Sequence, residues 1–398
     1  MSTDEPLVPR LRPFRSSIFA EMSATALATG SVNLGQGFPD VDGPESVAEA
    51  AVDAIREHRG NQYPPSVGVP VLREAVATHQ REQYGIELDP AREVVATAGA
   101  TEGLASALMA FLDEGDEVVT FEPFFDSYLA VVAQARGRLV PVRLSAPDFR
   151  VDEERLRAAI TDRTRVLLVN SPHNPTGAVL DEQERDILAR VAVEHDLIVV
   201  TDEVYEHMAF DRAHVPLATL PGMWERTLTI SSAGKTFSFT GWKIGWFSGP
   251  SRLVSAALTV KQFLSFASGG PFQHALAYAL THEMAWVKEL GNDLERRRDL
   301  LCDGLQDLGL TVHRPAGTYF VTTDVRPLGW DDGLAFCREL PTLAKVAAIP
   351  CSALYLTGPD GAAGLDDDAR ALVRWTFTKR DDVLHEALDR LAAADLTR

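Results

Sequence analysis

The chain has 398 residues, and 38 lysines and arginines stand against 57 aspartates and glutamates, which gives a formal net charge of −19. This acidic balance disfavours a surface for nucleic acids or anionic membranes, because both require a basic field. Hydrophobic residues make up 45% of the chain, as in a globular protein of roughly two or three domains.

The cysteines and the N-terminus limit the cellular setting. Cys302, Cys337 and Cys351 are widely spaced and form no Cys-x-x-Cys pair, which excludes a disulfide framework and a cysteine-built zinc site. Residues 1–15 are polar and proline-rich, and no apolar run approaches the roughly 18 residues of a membrane span. We therefore expect a cytoplasmic protein that has no metal site and no membrane or nucleic-acid partner.

The middle of the chain alternates short apolar runs with stretches of helical period, which is typical of βαβ units. The run at 166–169 is apolar throughout, as in a strand that is buried on both sheet faces. A helix is predicted to begin at Asp181, because Glu184 completes a capping box with it. The pattern predicts an α/β fold with an open, mostly parallel sheet between helices. Its predicted strands are 94–96, 118–121, 166–169, 197–200 and 227–230.

The last hundred residues show a different pattern. A charged helical stretch at 290–308 is followed by a strand in which Val373 and Trp375 alternate with Arg374 and Thr376. This period of two predicts a strand with one solvated face, in a smaller α+β domain. We therefore divide the chain into residues 1–44, an N-terminal arm with part of the small domain, residues 45–290, the large domain, and residues 291–398, the C-terminal small domain.

Polar residues follow three of the predicted strands. Asn170 and Asn174 follow the strand at 166–169, Asp202 and Tyr205 follow the next one, and Lys235 follows the strand at 227–230. Open α/β sheets bind ligands at the carboxyl ends of their strands. If the strands are parallel, an amide, a carboxylate, a phenol and an amine meet in one crevice.

The sequence around Lys235 carries a family resemblance. Ser-Ser-Ala-Gly-Lys-Thr-Phe at 231–237, followed by Thr-Gly-Trp-Lys-Ile-Gly-Trp at 240–246, resembles the lysine signature of fold-type I, pyridoxal-phosphate (PLP)-dependent class I/II aminotransferases. The most similar branch holds kynurenine, glutamine and methionine aminotransferases and actinobacterial N-succinyldiaminopimelate aminotransferases. Further segments that carry the resemblance are 33–40, 61–63, 122–126, 174–177, 201–205 and Arg374.

The resemblance implies an architecture and a set of catalytic roles. It implies a PLP-binding large domain with a mostly parallel, seven-stranded-type sheet, and a homodimer that shares its active site across the interface. Lys235 corresponds to the lysine that forms a Schiff base with PLP and later moves a proton at the substrate's Cα. Asp202 corresponds to the carboxylate that keeps the pyridine nitrogen protonated, so that the ring accepts electrons. Tyr205 and Asn174 correspond to partners of the ring's 3′ oxygen, and Phe125 to a residue stacked on the ring.

The phosphate of PLP requires backbone donors and cations. Gly99 lies where a predicted strand turns into a helix, and a helix N-terminus presents unpaired N–H groups to an anion. Lys243 stands where many relatives carry arginine, and a lysine serves a phosphate as a point charge. The residues that the resemblance assigns to the phosphate are Gly99, Ala100, Thr101, Ser232, Lys243 and, from the other subunit, Tyr63.

The substrate residues follow from the same resemblance. Arg374 is the candidate for the α-carboxylate, because a guanidinium offers a carboxylate two parallel hydrogen bonds. Asn174 and the backbone of Gly37 are expected to add contacts. Phe19 stands in place of a tryptophan of the kynurenine-type branch.

The predicted substrate depends on two large side chains of the kynurenine-type branch that this sequence lacks. Ser268 and Gly269 replace an aromatic residue and a histidine of the kynurenine-type branch, which opens the pocket to a longer polar substrate. Segments 317–320 and 326–329 follow the succinyldiaminopimelate-type pattern. We expect transamination between N-succinyl-LL-2,6-diaminopimelate and 2-oxoglutarate. The cation for the distal carboxylate stays open among Arg10, Arg12, Arg15 and others.

Three alternatives stand beside this expectation. A broad-specificity kynurenine, glutamine or methionine aminotransferase uses the same residues. A cysteine-S-conjugate β-lyase differs only in its products, pyruvate and ammonia. A regulator without turnover is disfavoured, because only about 30 residues precede the motif at 33–35, too few for a helix-turn-helix module.

Overall fold

The computed structural model describes residues 6–15, 17–357 and 365–398 of the chain. Its helices are α1 Ile18–Thr29, α2 Glu45–Arg56, α3 Pro70–Tyr84, α4 Gly99–Phe111, α5 Ser127–Gln134, α6 Glu153–Ala159, α7 Glu182–Glu194, α8 Ala233–Thr236, α9 Ser251–Leu264, α10 Gly270–His282, α11 Met284–Asp307, α12 Gly333–Leu343, α13 Asp367–Arg370 and α14 Asp381–Ala392. Its strands are β1 Val32–Asn33, β2 Val94–Thr97, β3 Glu117–Glu122, β4 Arg138–Arg143, β5 Thr164–Asn170, β6 Ile198–Asp202, β7 Thr227–Ser231, β8 Gly245–Ser248, β9 Thr311–His313, β10 Phe320–Asp324, β11 Val346–Ala347, β12 Ile349–Pro350 and β13 Leu372–Thr376.

The large sheet has seven strands in the order β2-β8-β7-β6-β5-β3-β4. Only β8 runs antiparallel to its neighbours, so the predicted mostly parallel sheet between helices is confirmed. Along β5, Leu167 packs in one hydrophobic cluster, whereas Val166 and Leu168 pack in another. The central strands are therefore covered on both faces, which explains why the sequence of β5 is apolar throughout.

A second, smaller sheet lies in the C-terminal part of the chain. It is antiparallel, with the order β12-β13-β10-β9, and it packs against α11 through residues such as Leu294, Val321 and Trp375. The prediction of a solvated face on β13 is wrong, because Arg374 and Thr376 are buried as deeply as their neighbours. Asn174, the carbonyl of Gly35 and the ring of Phe19 contact the guanidinium of Arg374, so other parts of the chain take the place of water on this face.

Two features bear on the predicted division of the chain. The boundary at 290/291 falls inside α11, a helix of 24 residues that runs through it without interruption. The N-terminal segment pairs through β1 with β11, far along the chain. The other boundary, at 44/45, coincides with the start of α2. The three-part division stays a prediction, with α11 linking the second and third parts.

No helix within the described residues is long and apolar enough to cross a membrane.

Helix α7 shows how local sequence sets an element boundary. The side chain of Asp181 accepts a hydrogen bond from the backbone N–H of Glu184, and the Glu184 carboxylate accepts one from the N–H of Asp181. This capping box confirms the predicted start of the helix. The first turn of the helix follows the loop that carries Asn174.

We expect Asp181→Ala to lower the free energy of unfolding by about 1–2 kcal/mol, because the substitution removes the N-cap acceptor. Urea denaturation measures the loss. Glu182→Ala at the next, uncapped position provides the comparison. Equal stability of the Asp181→Ala variant and the parent protein would contradict this role of the cap.

Candidate active site

The parallel strands bring the predicted residues together. In the register of the sheet, Asn170 at the end of β5 lies beside Asp202 at the end of β6, and Asp202 lies beside Ile230 of β7. The loops after these strands therefore open on the same edge. They enclose a cavity of about 370 Å³, within the range of small-molecule sites. The predicted residues that line it are Gly99, Ala100, Thr101, Phe125, Asn170, Asn174, Asp202, Tyr205, Ser232, Lys235 and Lys243.

Lys235 lies on the single turn of α8, directly after β7. Its Nζ donates a hydrogen bond of 2.6 Å to the hydroxyl of Tyr319 and lies 5.8 Å from the ring centre of Tyr205. The short helix fixes the backbone while the long side chain reaches into the cavity. An amine is thus placed between two phenols in a partly buried position.

Asp202 is a buried carboxyl group with one strong donor. The hydroxyl of Tyr128 donates to its Oδ2 at 2.6 Å, and only 4% of the residue is exposed. Burial raises the pKa of Asp202 to about 6, because desolvation penalises the carboxylate. Within the described residues, no basic side chain pairs with Asp202 at ion-pair distance. A cation placed in the cavity would favour the ionised form.

Asn170 organises the loop that carries Asn174. Its Nδ2 donates to the backbone carbonyl of Asp202 at 2.8 Å, and its Oδ1 accepts from the backbone N–H of Asn174 at 2.7 Å. The amide of Asn170 thus connects β6 to the loop that follows β5. Tyr205 lines the same wall, and burial raises the pKa of its phenol well above the ordinary value, so the hydroxyl keeps its proton.

One end of the cavity has the features of an anion site. Gly99 has φ +71° and begins α4, a helix of 13 residues. A Cβ at this position would lie 2.9 Å from Nζ of Lys243, so the glycine permits a close approach. Partial desolvation, followed by the charge of Lys235, lowers the pKa of Lys243, although the residue as a whole stays exposed. Within the described residues no carboxylate lies within ion-pairing distance of Lys243, and Ser232 donates only weakly, at 3.5 Å, to the carbonyl of Ile244.

Arg374 lies outside the cavity wall and reaches it through Asn174. Its Nη1 donates to Oδ1 of Asn174 at 3.0 Å, and its Nη2 donates to the carbonyl of Gly35 at 2.8 Å. The guanidinium lies 4.0 Å from the ring centre of Phe320 and 5.1 Å from that of Phe19. Burial lowers the pKa of Arg374, and its Nε has no hydrogen-bond partner in the described structure.

Gly37 and Tyr63 also lie outside the cavity wall. The carbonyl of Gly37 accepts a hydrogen bond from Tyr319 at 2.9 Å. Tyr63 is 88% exposed and packs edge-on against Phe266, 5.8 Å away between ring centres. It lines a separate surface depression formed by residues 60–64 and 267–270.

Three aromatic residues of the site were not assigned from the sequence. Tyr128 donates to Asp202, Tyr319 binds Lys235, and Phe320 stacks on Arg374. Tyr128 stands in the first turn of a helix after a strand, where an aromatic residue usually belongs to the core. Tyr319 and Phe320 were noted only as part of a similar segment, and nothing local shows that this segment meets Lys235.

Comparisons with known proteins identify the family. A model of class I and II aminotransferases matches residues 29–391. The chain belongs to this family. It is 51% identical to a probable N-succinyldiaminopimelate aminotransferase of Mycobacterium tuberculosis, over 97% of this chain and 98% of that one. Methionine aminotransferase of Escherichia coli is 35% identical over 98% and 99%.

The solved structures agree with the family assignment. The structure of N-succinyldiaminopimelate aminotransferase from Mycobacterium tuberculosis superposes with a TM-score of 0.93 at 50% identity, covering 97% of this chain and 99% of that one. The protein is a PLP-dependent aminotransferase of fold type I, which confirms the predicted family, reaction and cofactor.

The residues of the cavity fit PLP. An unpaired lysine beside a helix N-terminus suits a phosphate, and a buried carboxyl group without a counter-ion suits a protonated ring nitrogen. Between them lies a primary amine that can bind an aldehyde. Bound PLP supplies an electron sink for the negative charge that develops at the substrate's Cα.

The raised pKa of Asp202 has a measurable consequence for the cofactor-free protein. The unfolded carboxyl group has a pKa of about 3.9, so between pH 4 and 6 the folded state binds more protons than the unfolded state. The group therefore destabilises the fold increasingly as the pH rises through that range. At pH 8 the penalty is roughly 1–3 kcal/mol.

We expect the free energy of unfolding of cofactor-free Asp202→Asn to exceed that of the cofactor-free parent by roughly 1–3 kcal/mol at pH 8. Asparagine keeps the acceptor for Tyr128 but carries no charge. The difference shrinks as the pH falls from 6 toward 4. Urea denaturation across this range is the measurement, with the exposed Asp162→Asn as control. A parent protein that is equally stable or more stable at pH 8 would refute the assignment.

Proposed function

We propose that the protein transfers the amino group of N-succinyl-LL-2,6-diaminopimelate to 2-oxoglutarate. The observation that carries this choice is the segment 267–270, Ala-Ser-Gly-Gly, which has no large side chain and lines the same depression as Tyr63, the residue that we propose below to reach the partner's site. A longer polar substrate needs such space. The name of the relative that is 51% identical supports the same choice.

We assign the catalytic roles from the contacts in the cavity. Lys235 would hold PLP through Nζ, and its free amine would remove and return the proton at the substrate's Cα. Asp202 holds the proton on the pyridine nitrogen, and Tyr128 fixes the orientation of the carboxyl group. Asn174 and Tyr205 hydrogen-bond the 3′ oxygen of the ring, since both line the wall beside Asp202.

The phosphate and the ring face take the remaining wall residues. We assign the phosphate to the start of α4, namely Gly99, Ala100 and Thr101, together with Ser232 and Lys243. Phe125 lines the cavity, and its edge-on contact with Tyr128 fixes the orientation of the Phe125 ring. We assign this ring to the face of the cofactor.

Arg374 binds the α-carboxylate of the substrate. It is a buried cation that no carboxylate pairs with in the described chain, and arginine stays charged in proteins. An incoming carboxylate would supply the missing opposite charge. The stacked ring of Phe320 and the carbonyl of Gly35 hold the guanidinium in one orientation, and Phe19 and the backbone of Gly37 border the same end.

We also propose a homodimer in the cytoplasm. Tyr63 and Phe263 are 88% and 83% exposed, and Leu264 and Phe266, which are close to Phe263 in sequence, also keep much of their surface in water. Large exposed aromatic residues of this kind mark interaction surfaces. A second copy of the chain would cover them and bring Tyr63 to the neighbouring phosphate site.

The substrate assignment is tested with the purified holoenzyme and a panel of amino donors. We expect kcat/KM for N-succinyl-LL-2,6-diaminopimelate to exceed those for methionine and kynurenine by about tenfold or more, because a hydrogen bond to a charged distal group contributes about 1.5–3 kcal/mol. Loss of the cofactor's visible absorbance reports each half-reaction.

The controls separate the competing activities. Lys235→Ala should stay folded without visible absorbance and without turnover. Faster reaction of methionine or kynurenine would replace the proposed substrate by a broad-specificity activity. Pyruvate and ammonia from a cysteine conjugate would indicate a β-lyase.

The homodimer is tested by sedimentation velocity. We expect the parent protein to sediment as a dimer and Phe263→Asp to sediment as a monomer with strongly reduced activity, because the monomer lacks the partner's tyrosine at its phosphate site. Val193→Asp, which alters a half-exposed valine on α7, should remain dimeric. A fully active monomer would contradict the shared site.

A further inference from the structure

Tyr319 joins two parts of the site through one hydroxyl group. The residue is completely buried just before β10, and its hydroxyl lies 2.6 Å from Nζ of Lys235 and 2.9 Å from the carbonyl oxygen of Gly37. Lys235 belongs to α8, directly after strand β7 of the large sheet, whereas Gly37 follows β1 in the N-terminal segment. The same hydroxyl therefore connects the amine to the end of the site where Arg374 lies.

The direction of both hydrogen bonds is fixed by chemistry. A carbonyl oxygen can only accept, so the hydroxyl of Tyr319 must donate its single proton to Gly37. The bond to Lys235 then runs the other way, from Nζ–H to the lone pair of the phenol oxygen. The phenol thus cannot serve as a proton donor to Lys235 while the Gly37 contact persists; it holds the amine in place.

The backbone before Tyr319 is strained in a way that favours this placement. Thr318 is a β-branched residue with φ +65°, a conformation that costs of order 1–3 kcal/mol and persists only where the surroundings enforce it. Its N–H donates to the carbonyl of Met208 at 2.7 Å, and its Oγ1 accepts from the N–H of Phe320 at 3.1 Å. These two bonds stabilise the turn that directs Tyr319 inward.

The ring of Tyr319 has little freedom to move. It packs edge-on against Tyr205, with 5.2 Å between ring centres, and against Phe320, with 4.7 Å. A Cβ at Gly37 would lie 2.7 Å from Cε2 of Tyr319, so only glycine permits this approach. The hydroxyl is therefore confined to the position in which it meets Lys235.

We propose that Tyr319 is a positioning residue for the catalytic amine. It restricts Nζ of Lys235 to the orientation from which the amine attacks the cofactor's aldehyde and to which it returns when the amino acid displaces it. Through its hydrogen bond to Gly37, Tyr319 also keeps the amine at a fixed distance from the end of the site that binds the carboxylate. The proposal rests on the role assigned to Lys235 above.

The test uses Tyr319→Phe, which removes only the hydroxyl. Cofactor-free protein is mixed with PLP, and the growth of the visible absorbance gives the rate of attachment. We expect this rate to fall by about tenfold or more, because the amine is no longer held by a hydrogen bond. In the reconstituted enzyme, kcat should fall by a similar factor, whereas KM for the amino donor should change by less than about threefold.

Tyr355→Phe is the matched control, since it removes a hydroxyl from another buried tyrosine that does not line the cavity. It should attach PLP at the parent rate. A parent-like rate and kcat for Tyr319→Phe would overturn the proposal and leave Tyr319 as a space-filling residue. Failure of Lys235→Ala to abolish the absorbance would instead overturn the proposed role of Lys235.

Gly37→Ala provides a second test of the same proposal, which is needed if Tyr319→Phe does not fold. Its added methyl group lies within 3 Å of the rings of Tyr319 and Phe320, so the phenol must shift although its hydroxyl is retained. Residue 37 lies outside the wall of the PLP cavity, and attachment of PLP involves no substrate carboxylate. Slower attachment supports the positioning role, and parent-like attachment with a displaced ring contradicts it.

Discussion

Three charged groups that no side chain neutralises determine the chemistry of this protein. Asp202 and Arg374 are buried by the fold, whereas Lys243 lines the cavity and stays exposed, and within the described residues none of the three has an opposite charge at ion-pairing distance. Unpaired buried charges are costly, so such groups persist where a ligand completes them. A protonated ring nitrogen would complement Asp202, a phosphate would complement Lys243, and a carboxylate would complement Arg374. The site is in this sense built for PLP and an amino acid together.

The two sheets supply these charges from different directions. The parallel sheet delivers Asp202 and the loop of Lys243 at the ends of adjacent strands, which fixes their separation through strand register. The small sheet delivers Arg374 on β13 and Tyr319 just before the neighbouring strand β10. Contacts of Arg374 with Asn174 and of Tyr319 with Lys235 join the two sets. The guanidinium of Arg374 and the amine of Lys235 are thereby held in a fixed relation, although they belong to distant parts of the chain.

The sequence predicted the parts of the site that depend on local patterns. Apolar runs, a capping box at Asp181 and polar residues after each strand were sufficient for the parallel sheet and for the convergence of Asn170, Asp202 and Lys235. The burial of Arg374 was missed, because an alternating strand has the same pattern whether its polar face meets water or another part of the chain. Tyr319 was not predicted as a partner of Lys235 because their contact spans 84 residues, and no local spacing records it.

The most direct test of the account is the position at which PLP becomes attached to the chain. Reduction of the holoenzyme with borohydride, followed by proteolysis and mass spectrometry, locates the modified residue. The account predicts a phosphopyridoxyl group on Lys235 in stoichiometric amount, with Lys243 unmodified. Modification of Lys243 or of another lysine, with Lys235 free, would contradict it.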